Sequence, residues 1–182
     1  MEFSDTKFVL LSNLKPRQLR RGFVLSAGNT VKIAKIIVHC SDTPEDMDIG
    51  VKEIKKWHTD PPPKGRGWRD CGYHKVIRRN GQTEIGRFEN GDSVLEGKEI
   101  GAHTKGHNSD SLAVCLVGRG KYDPRQIASL LYCLHRWLVI HDLEPSDVYG
   151  HYEFDKNKGC PLLDMGAVRK VLASMSVGDS VA

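Results

Sequence analysis

With 182 residues, 39% hydrophobic and 27% charged, the chain has the length and composition of one globular domain with one hydrophobic core. A formal net charge of +4 favours an anionic partner such as a cell wall, a nucleic acid or an anionic membrane, and selects none of them. The five cysteines contain no C-x-x-C pair, which excludes a zinc ribbon and a thioredoxin-type redox pair, and free thiols suit a reducing compartment. No apolar run approaches the length of a bilayer span. Phe8 to Leu11 is too short for a secretory signal core, with an acidic residue before it and its basic residues after it, so the chain reads as made and kept in the cytosol.

Residues 1–33 carry the basic cluster Lys15-Pro16-Arg17-Gln18-Leu19-Arg20-Arg21 without clear periodicity. Two readings stand: a solvated arm, partly ordered at most through the apolar stretches Phe8 to Leu11 and Phe23 to Leu25, or a contact surface for an acidic partner. Lys35 to His39 is a short β-branched strand, and Val51, Ile54 and Trp57 or His58 recur at helical spacing, giving a helix from about Ile49 to His58. Pro61-Pro62-Pro63 ends it. Asn80-Gly81 between Tyr73 to Arg79 and Gln82 to Arg87 predicts a two-residue hairpin with both turn residues at positive φ. The stretch from Phe88 to Asn108 is long, polar and glycine-rich, the character of a functional or mobile loop. Ser111 to Val117 is another apolar strand.

Asp123 as N-cap, Pro124 at the first helical position and Gln126 completing a capping box open a helix whose apolar face is Ile127, Leu130, Leu131, Leu134, Leu138 and His141. Val148-Tyr149 is a short strand, and a last helix after Asp164 buries Val168, Val171, Leu172 and Met175. Residues 176–182 read as a flexible tail. Alternating strands and helices imply an α/β single domain, and the hairpin requires its central β-sheet, flanked by helices, to be mixed.

The chemistry-bearing residues fall in two distant stretches. His39 ends the first strand, and Gly150 to Pro161 holds His151, Cys160 and the two lysines Lys156 and Lys158. Brought together, His39, His151 and Cys160 make three ligands with a fourth position open, the arrangement of a catalytic zinc. Spacing permits this triple without singling it out, since eight histidines and five cysteines allow many others.

Several motifs in order narrow the choice: Val38-His39-Cys40-Ser41, Gly72-Tyr73-His74, Arg79-Asn80-Gly81, Ala102-His103 with Gly106-His107-Asn108, Val114 to Gly118, and Gly150-His151-Tyr152-Glu153 with Lys158-Gly159-Cys160-Pro161. In this set the chain resembles the small zinc-dependent N-acetylmuramoyl-L-alanine amidases of phage lysis cassettes. These type 2 amidases are related to the peptidoglycan recognition proteins, and the resemblance is greatest to the single-domain lysozyme-type endolysins of T-odd coliphages. It runs from about Lys35 to Val171 and makes residues 34–175 the catalytic domain.

The resemblance implies zinc bound by His39, His151 and Cys160, with Tyr73 and Lys158 as catalytic auxiliaries. Zinc would make its water acidic and polarise the amide carbonyl between N-acetylmuramic acid and L-alanine, and Lys158 would stabilise the oxyanion. A thiolate ligand favours zinc over magnesium or calcium. The segment from His151 to Cys160 is one residue longer than in the coliphage relatives. Lys158 keeps its offset from the cysteine, and Lys156 stays the alternative amine. The resemblance also makes His103, Lys105 and Asn108 candidates for holding stem peptide or glycan, against the plainer reading of a solvated loop.

Read without the family, His58 and His74 are packed or hydrogen-bonded rather than metal-bound, and Tyr73 is an ordinary strand tyrosine. Trp57 belongs to the core, Trp68 is free to line a groove, and Glu153 either orients a ligating histidine or is exposed. The leading reading is a monomeric peptidoglycan hydrolase in the host cytoplasm, reaching the periplasmic wall through a holin-type lesion. Two alternatives use the same fold: a peptidoglycan binder lacking catalysis, disfavoured by the presence of Cys160, and an inhibitor of phage RNA polymerase acting through the basic arm. Nucleic-acid binding has no motif to support it, and nothing predicts membrane insertion.

Overall fold

The computed structural model describes residues 31–88 and 95–178. The basic cluster and the apolar stretches of the N-terminal arm lie outside the described residues, as do residues 179–182 of the tail. The described chain forms one mixed sheet of five strands in the order β3-β2-β4-β1-β5. The strands are β1 (Lys35–Cys40), β2 (Lys75–Ile77), β3 (Thr83–Ile85), β4 (Ser111–Leu116) and β5 (Val148–Gly150). β1 runs parallel to both β4 and β5, β2 runs parallel to β4, and only β3 is antiparallel to its neighbour. The helices are α1 (Val51–Thr59), α2 (Pro124–His141) and α3 (Met165–Gly178).

Side chains alternate across a strand, so the sheet has two differently furnished faces. Ile36 and Val38 of β1 join Leu112, Val114 and Leu116 of β4 in the main core, with Leu130, Leu134 and Trp137 of α2 and Met165 and Leu172 of α3. The opposite face carries a smaller cluster in which Cys115, Val117 and Val76 meet Ile54 of α1 and Cys71. Alternation puts His39, next to Val38, on this thinly covered face. The N-terminal approach is tied to the body as well: Ile33 is buried in the main core, and the Val31 N–H donates to the Leu95 carbonyl at 2.7 Å.

Four local expectations need correcting. The hairpin is a three-residue loop: Arg78 N–H donates to the Gln82 carbonyl at 2.8 Å and Gly81 N–H to the Arg78 carbonyl at 2.9 Å. Positive φ falls on Gly81 (φ 87) and not on Asn80, whose Oδ1 instead accepts the Gln82 N–H at 2.9 Å. This is a turn followed by a left-handed bulge residue, which needs one glycine where the two-residue turn needs two permissive positions. On α2 the capping box forms as expected, with Asp123 accepting the Arg125 N–H and Gln126 accepting the Asp123 N–H. Its buried face, however, centres on Leu130, Cys133, Leu134, Trp137 and Leu138, leaving Ile127 and Leu131 half-buried. On α3 Met165 is buried and Val171 is exposed, a rotation of the expected stripe by part of a turn. Trp57 lies on the outer face of α1, and its neighbour His58 turns inward in its place. The last helix continues to Gly178.

Candidate metal centre and its surroundings

Parallel pairing explains how two of the histidines meet. Val38 of β1 lies opposite Gly150 of β5, so His39 and His151 are the next residues on adjacent parallel strands. β5 breaks at this point into a 3-10 turn, His151–Glu153. Glu153 holds that corner by accepting the Gly150 N–H at 2.7 Å, and Arg169 of α3 pairs with its carboxylate at 3.2 Å. Glu153 therefore acts on the backbone before His151. The chain then loops out through Lys156 and Lys158 and returns, with Tyr152 N–H donating to the Cys160 carbonyl at 2.9 Å. At the returning end, Cys160 Sγ accepts the Cys40 N–H at 2.9 Å and lies 3.9 Å from His39 Nδ1.

One donor atom from each of His39, His151 and Cys160 lies within 4.8 Å of the other two. Zn–N of about 2.0 Å and Zn–S of about 2.3 Å on a tetrahedral ion place nitrogen and sulfur about 3.6 Å apart, so the His39–Cys160 separation is close to what zinc requires. The protonation states fit too. Burial, followed by the neighbouring His103, His151 and His74, holds His39 well below the usual imidazole range, and burial followed by Lys158 lowers His151. Both rings are neutral at physiological pH, the form that ligates. The adjacent Cys40 thiol, then burial, push the Cys160 thiol up, so its ionisation calls for a nearby cation.

A row of rings extends from this centre. His39 is 4.5 Å from His151 and 5.1 Å from Tyr73, Tyr73 is 5.4 Å from His58, and His58 is 4.7 Å from Trp68. Burial raises the half-buried Tyr73 phenol well above its ordinary value, so it stays protonated and able to donate. Lys158 is exposed on the loop two residues before Cys160, and it is the cation whose charge acts on His151. His58 and His74 are structural. His58 Nδ1 accepts the Gly72 N–H at 2.9 Å, and His74 Nδ1 accepts the Ala113 N–H at 2.9 Å.

The three candidate substrate residues sit differently on their loop. His103 points inward, with Nδ1 3.2 Å from His39 Nε2. Asn108 Oδ1 accepts the N–H groups of His103 and Thr104 at 2.9 and 2.8 Å. Lys105 is exposed. Sequence reasoning missed Thr104, whose Oγ1 is 3.4 Å from His39 Nε2, and Cys40, whose N–H meets the Cys160 sulfur. It also missed Arg87. This buried guanidinium donates to the carbonyls of Cys71, Ile100 and Asp70 at 2.5, 2.7 and 2.9 Å, joining the segment before Tyr73 to the one before His103. A charged residue at a strand end that sequence alone reads as solvated was the only signal available for it.

Fold and site together define an α/β domain with an inward-facing His-His-Cys group able to hold a metal ion. Comparison with known proteins agrees. The family model described as N-acetylmuramoyl-L-alanine amidase matches residues 29–162. The endolysin of Escherichia phage T7 is 38% identical over 138 residues, 71% of this chain and 81% of that protein. The endolysin of Enterobacteria phage K11 is 36% identical over 140 residues, 72% of this chain and 82% of that protein. Among solved structures, the N-acetylmuramoyl-L-alanine amidase LysC from Clostridium intestinale matches with a TM-score of 0.64 at 20% identity, covering 83% of this chain and 94% of that one, a likeness of fold. The chain belongs to the N-acetylmuramoyl-L-alanine amidase family, and its activity is amide hydrolysis in peptidoglycan.

Proposed function

We propose that this chain is a phage lysis enzyme that releases stem peptides from peptidoglycan by a zinc-assisted attack of water on the amide between N-acetylmuramic acid and L-alanine. The observation that carries the proposal is the convergence of His39, His151 and Cys160 within 4.8 Å on the open face of the sheet, in a chain of this family. When bound there, zinc supplies Lewis acidity toward the scissile carbonyl and a water acidic enough to serve as nucleophile near neutral pH.

The protein's own groups supply the rest. Tyr73, protonated and beside His39, donates its O–H to the attacking water or to the carbonyl oxygen. Lys158 brings a positive charge to the His151 side, where it stabilises the negative charge that develops on that oxygen. This placement favours Lys158 over Lys156 as the catalytic amine. His103, Lys105 and Asn108 form the substrate-side loop, in which the exposed Lys105 meets the stem peptide or glycan and the other two shape its base. The endolysin relatives support a role in lysis, and release to the wall through a holin-type lesion is part of the same proposal.

Purified sacculi incubated with the full chain should yield free stem peptides beginning with L-alanine, identified by mass spectrometry. A chelator should abolish the product and added zinc restore it. Glycan fragments or cross-bridge cleavage products in place of those peptides would overturn the assignment. Full activity in metal-depleted buffer would overturn the zinc.

A further inference from the structure

We infer that His103 is a positioning residue whose Nδ1 is the terminal hydrogen-bond acceptor fixing the tautomer and ring orientation of His39. The inference rests on the proposed role of His39 as a metal ligand and deepens it.

His39 presents its two ring nitrogens to opposite surroundings. Nδ1 faces the Cys160 sulfur at 3.9 Å, the metal side. Nε2 lies 3.2 Å from His103 Nδ1 and 3.4 Å from Thr104 Oγ1. An imidazole that offers a lone pair at Nδ1 must carry its proton at Nε2, and with His39 only 1% exposed that proton needs an acceptor inside the protein. Two routes exist. Nε2–H donates directly to His103 Nδ1, or it donates to Thr104 Oγ1 while the Thr104 hydroxyl donates to His103 Nδ1 at 3.1 Å. Both end on the same lone pair.

That commitment forces the His103 proton to Nε2, which faces Ser111 Oγ at 3.4 Å. The Ser111 hydroxyl donates to the His107 carbonyl, so its oxygen has lone pairs left for His103. The adjacent His74 neither competes for the proton nor supplies one: its Nδ1 accepts from Ala113, and its Nε2 pairs with the Glu99 carbonyl at 3.1 Å. The ring of His103 is also held sterically. A Cβ at Gly101 would lie 2.6 Å from His103 Cδ2, and Asn108 clamps the backbone on the other side. By either route His39 and His103 both carry their ring proton at Nε2.

Ligating histidines commonly donate to a carboxylate, which raises their basicity. A neutral imidazole in that position orients His39 without adding negative charge. The Cys160 thiolate is then the single anion among the groups of the centre, which preserves the electrophilic character of a bound cation.

The test uses the full chain and two variants. His103→Phe keeps a ring and removes the acceptor, and His103→Asn returns a carbonyl oxygen near the Nδ1 position. Long-range proton–nitrogen correlation spectra of the metal-free wild type should show His39 protonated at Nε2 and bare at Nδ1, and His103 protonated at Nε2. Zinc affinity measured by chelator competition should weaken about 10- to 100-fold in His103→Phe and recover most of that loss in His103→Asn. Wild-type zinc affinity in His103→Phe with a raised KM would make His103 a substrate contact and overturn the inference. Equal weakening in both variants would reduce it to packing and overturn it as well. Absence of zinc binding by the wild type would sink the metal reading. The spectrum of the metal-free chain would then still decide the His39–His103 bond, because a proton on His39 Nδ1 contradicts it.

Discussion

On one face of the sheet Ile36, Val38, Leu112, Val114 and Leu116 lie close-packed under α2 and α3, and Lys75 of β2 sets its ammonium over the Trp137 ring at 5.1 Å. On the other face, one residue along in β1 and in the neighbouring loops, His39 meets His151, Tyr73, His103 and Cys160. The same strands furnish both, through a period of two. Covering one face thickly with helices leaves the other to carry polar groups mounted on the same strands. Damage to the first face should therefore register as lost stability, and damage to the second as lost chemistry in a protein that still folds.

The sharpest separation is expected from Cys160→Ser. It should bring peptide release from sacculi down to background and remove zinc from the purified protein, with the circular dichroism of the fold retained; a variant that keeps both metal and activity would break the division between faces. Lys158→Ala should leave zinc content unchanged and slow turnover by about 10²- to 10³-fold, the cost of removing one oxyanion-stabilising group. If Lys156→Ala is the damaging change instead, the catalytic amine has been misassigned.

On the other face Leu134→Ala should lower the unfolding free energy by about 2–5 kcal/mol in urea titrations and leave zinc affinity at its wild-type value. A loss of metal together with stability would show the faces to be coupled. The smallest expected effect belongs to the buried histidines that hold loops near the site. Burial lowers His58 from 6.5 to about 4 and His74 from 6.5 to about 3. Folded pKa values below the unfolded ones mean that the unfolded chain binds more protons in this window. Stability is then fully present above about pH 6.5 and is lost as the pH falls toward 4 for His58 and toward 3 for His74, by an amount on the order of 1–3 kcal/mol per ring. A flat unfolding free energy between pH 7 and 4.5 would contradict the neutral, hydrogen-bonded state of both rings.

Much of the thick face was legible in the sequence, because it is built from local periodicity. The β-branched run at Ile36 to Val38 and the Asp123-Pro124 start of α2 are short-range signals, and both elements formed where they pointed. The errors there are phase errors. Trp137 displaces Ile127 and Leu131 from the centre of the stripe, and Met165 displaces Val171, because helix rotation is set by what the partner surface accepts. The open face was less legible, for a different reason. His39 and Cys160 are 121 positions apart, and His39 and His103 are 64 apart. No local pattern encodes either meeting; strand order and register do, and those follow from the whole chain. The ordered family motifs pointed to the ligand triple, whereas the inward turn of His103 and the span of Arg87 had no counterpart in spacing.

The three bonds of Arg87 have a bearing on how firmly the surroundings of His39 are held. They reach the carbonyls of Asp70, Cys71 and Ile100 from one planar group, so the spacing of the segment before Tyr73 and the segment before His103 is set by the dimensions of a guanidinium. A joint of that kind is stiff, because opening it means breaking bonds to a buried charge. The rings of Tyr73 and His103 on either side of His39 thereby share one gauge. A lysine at this position, with one ammonium in place of the fork, would leave that gauge without its fixed width.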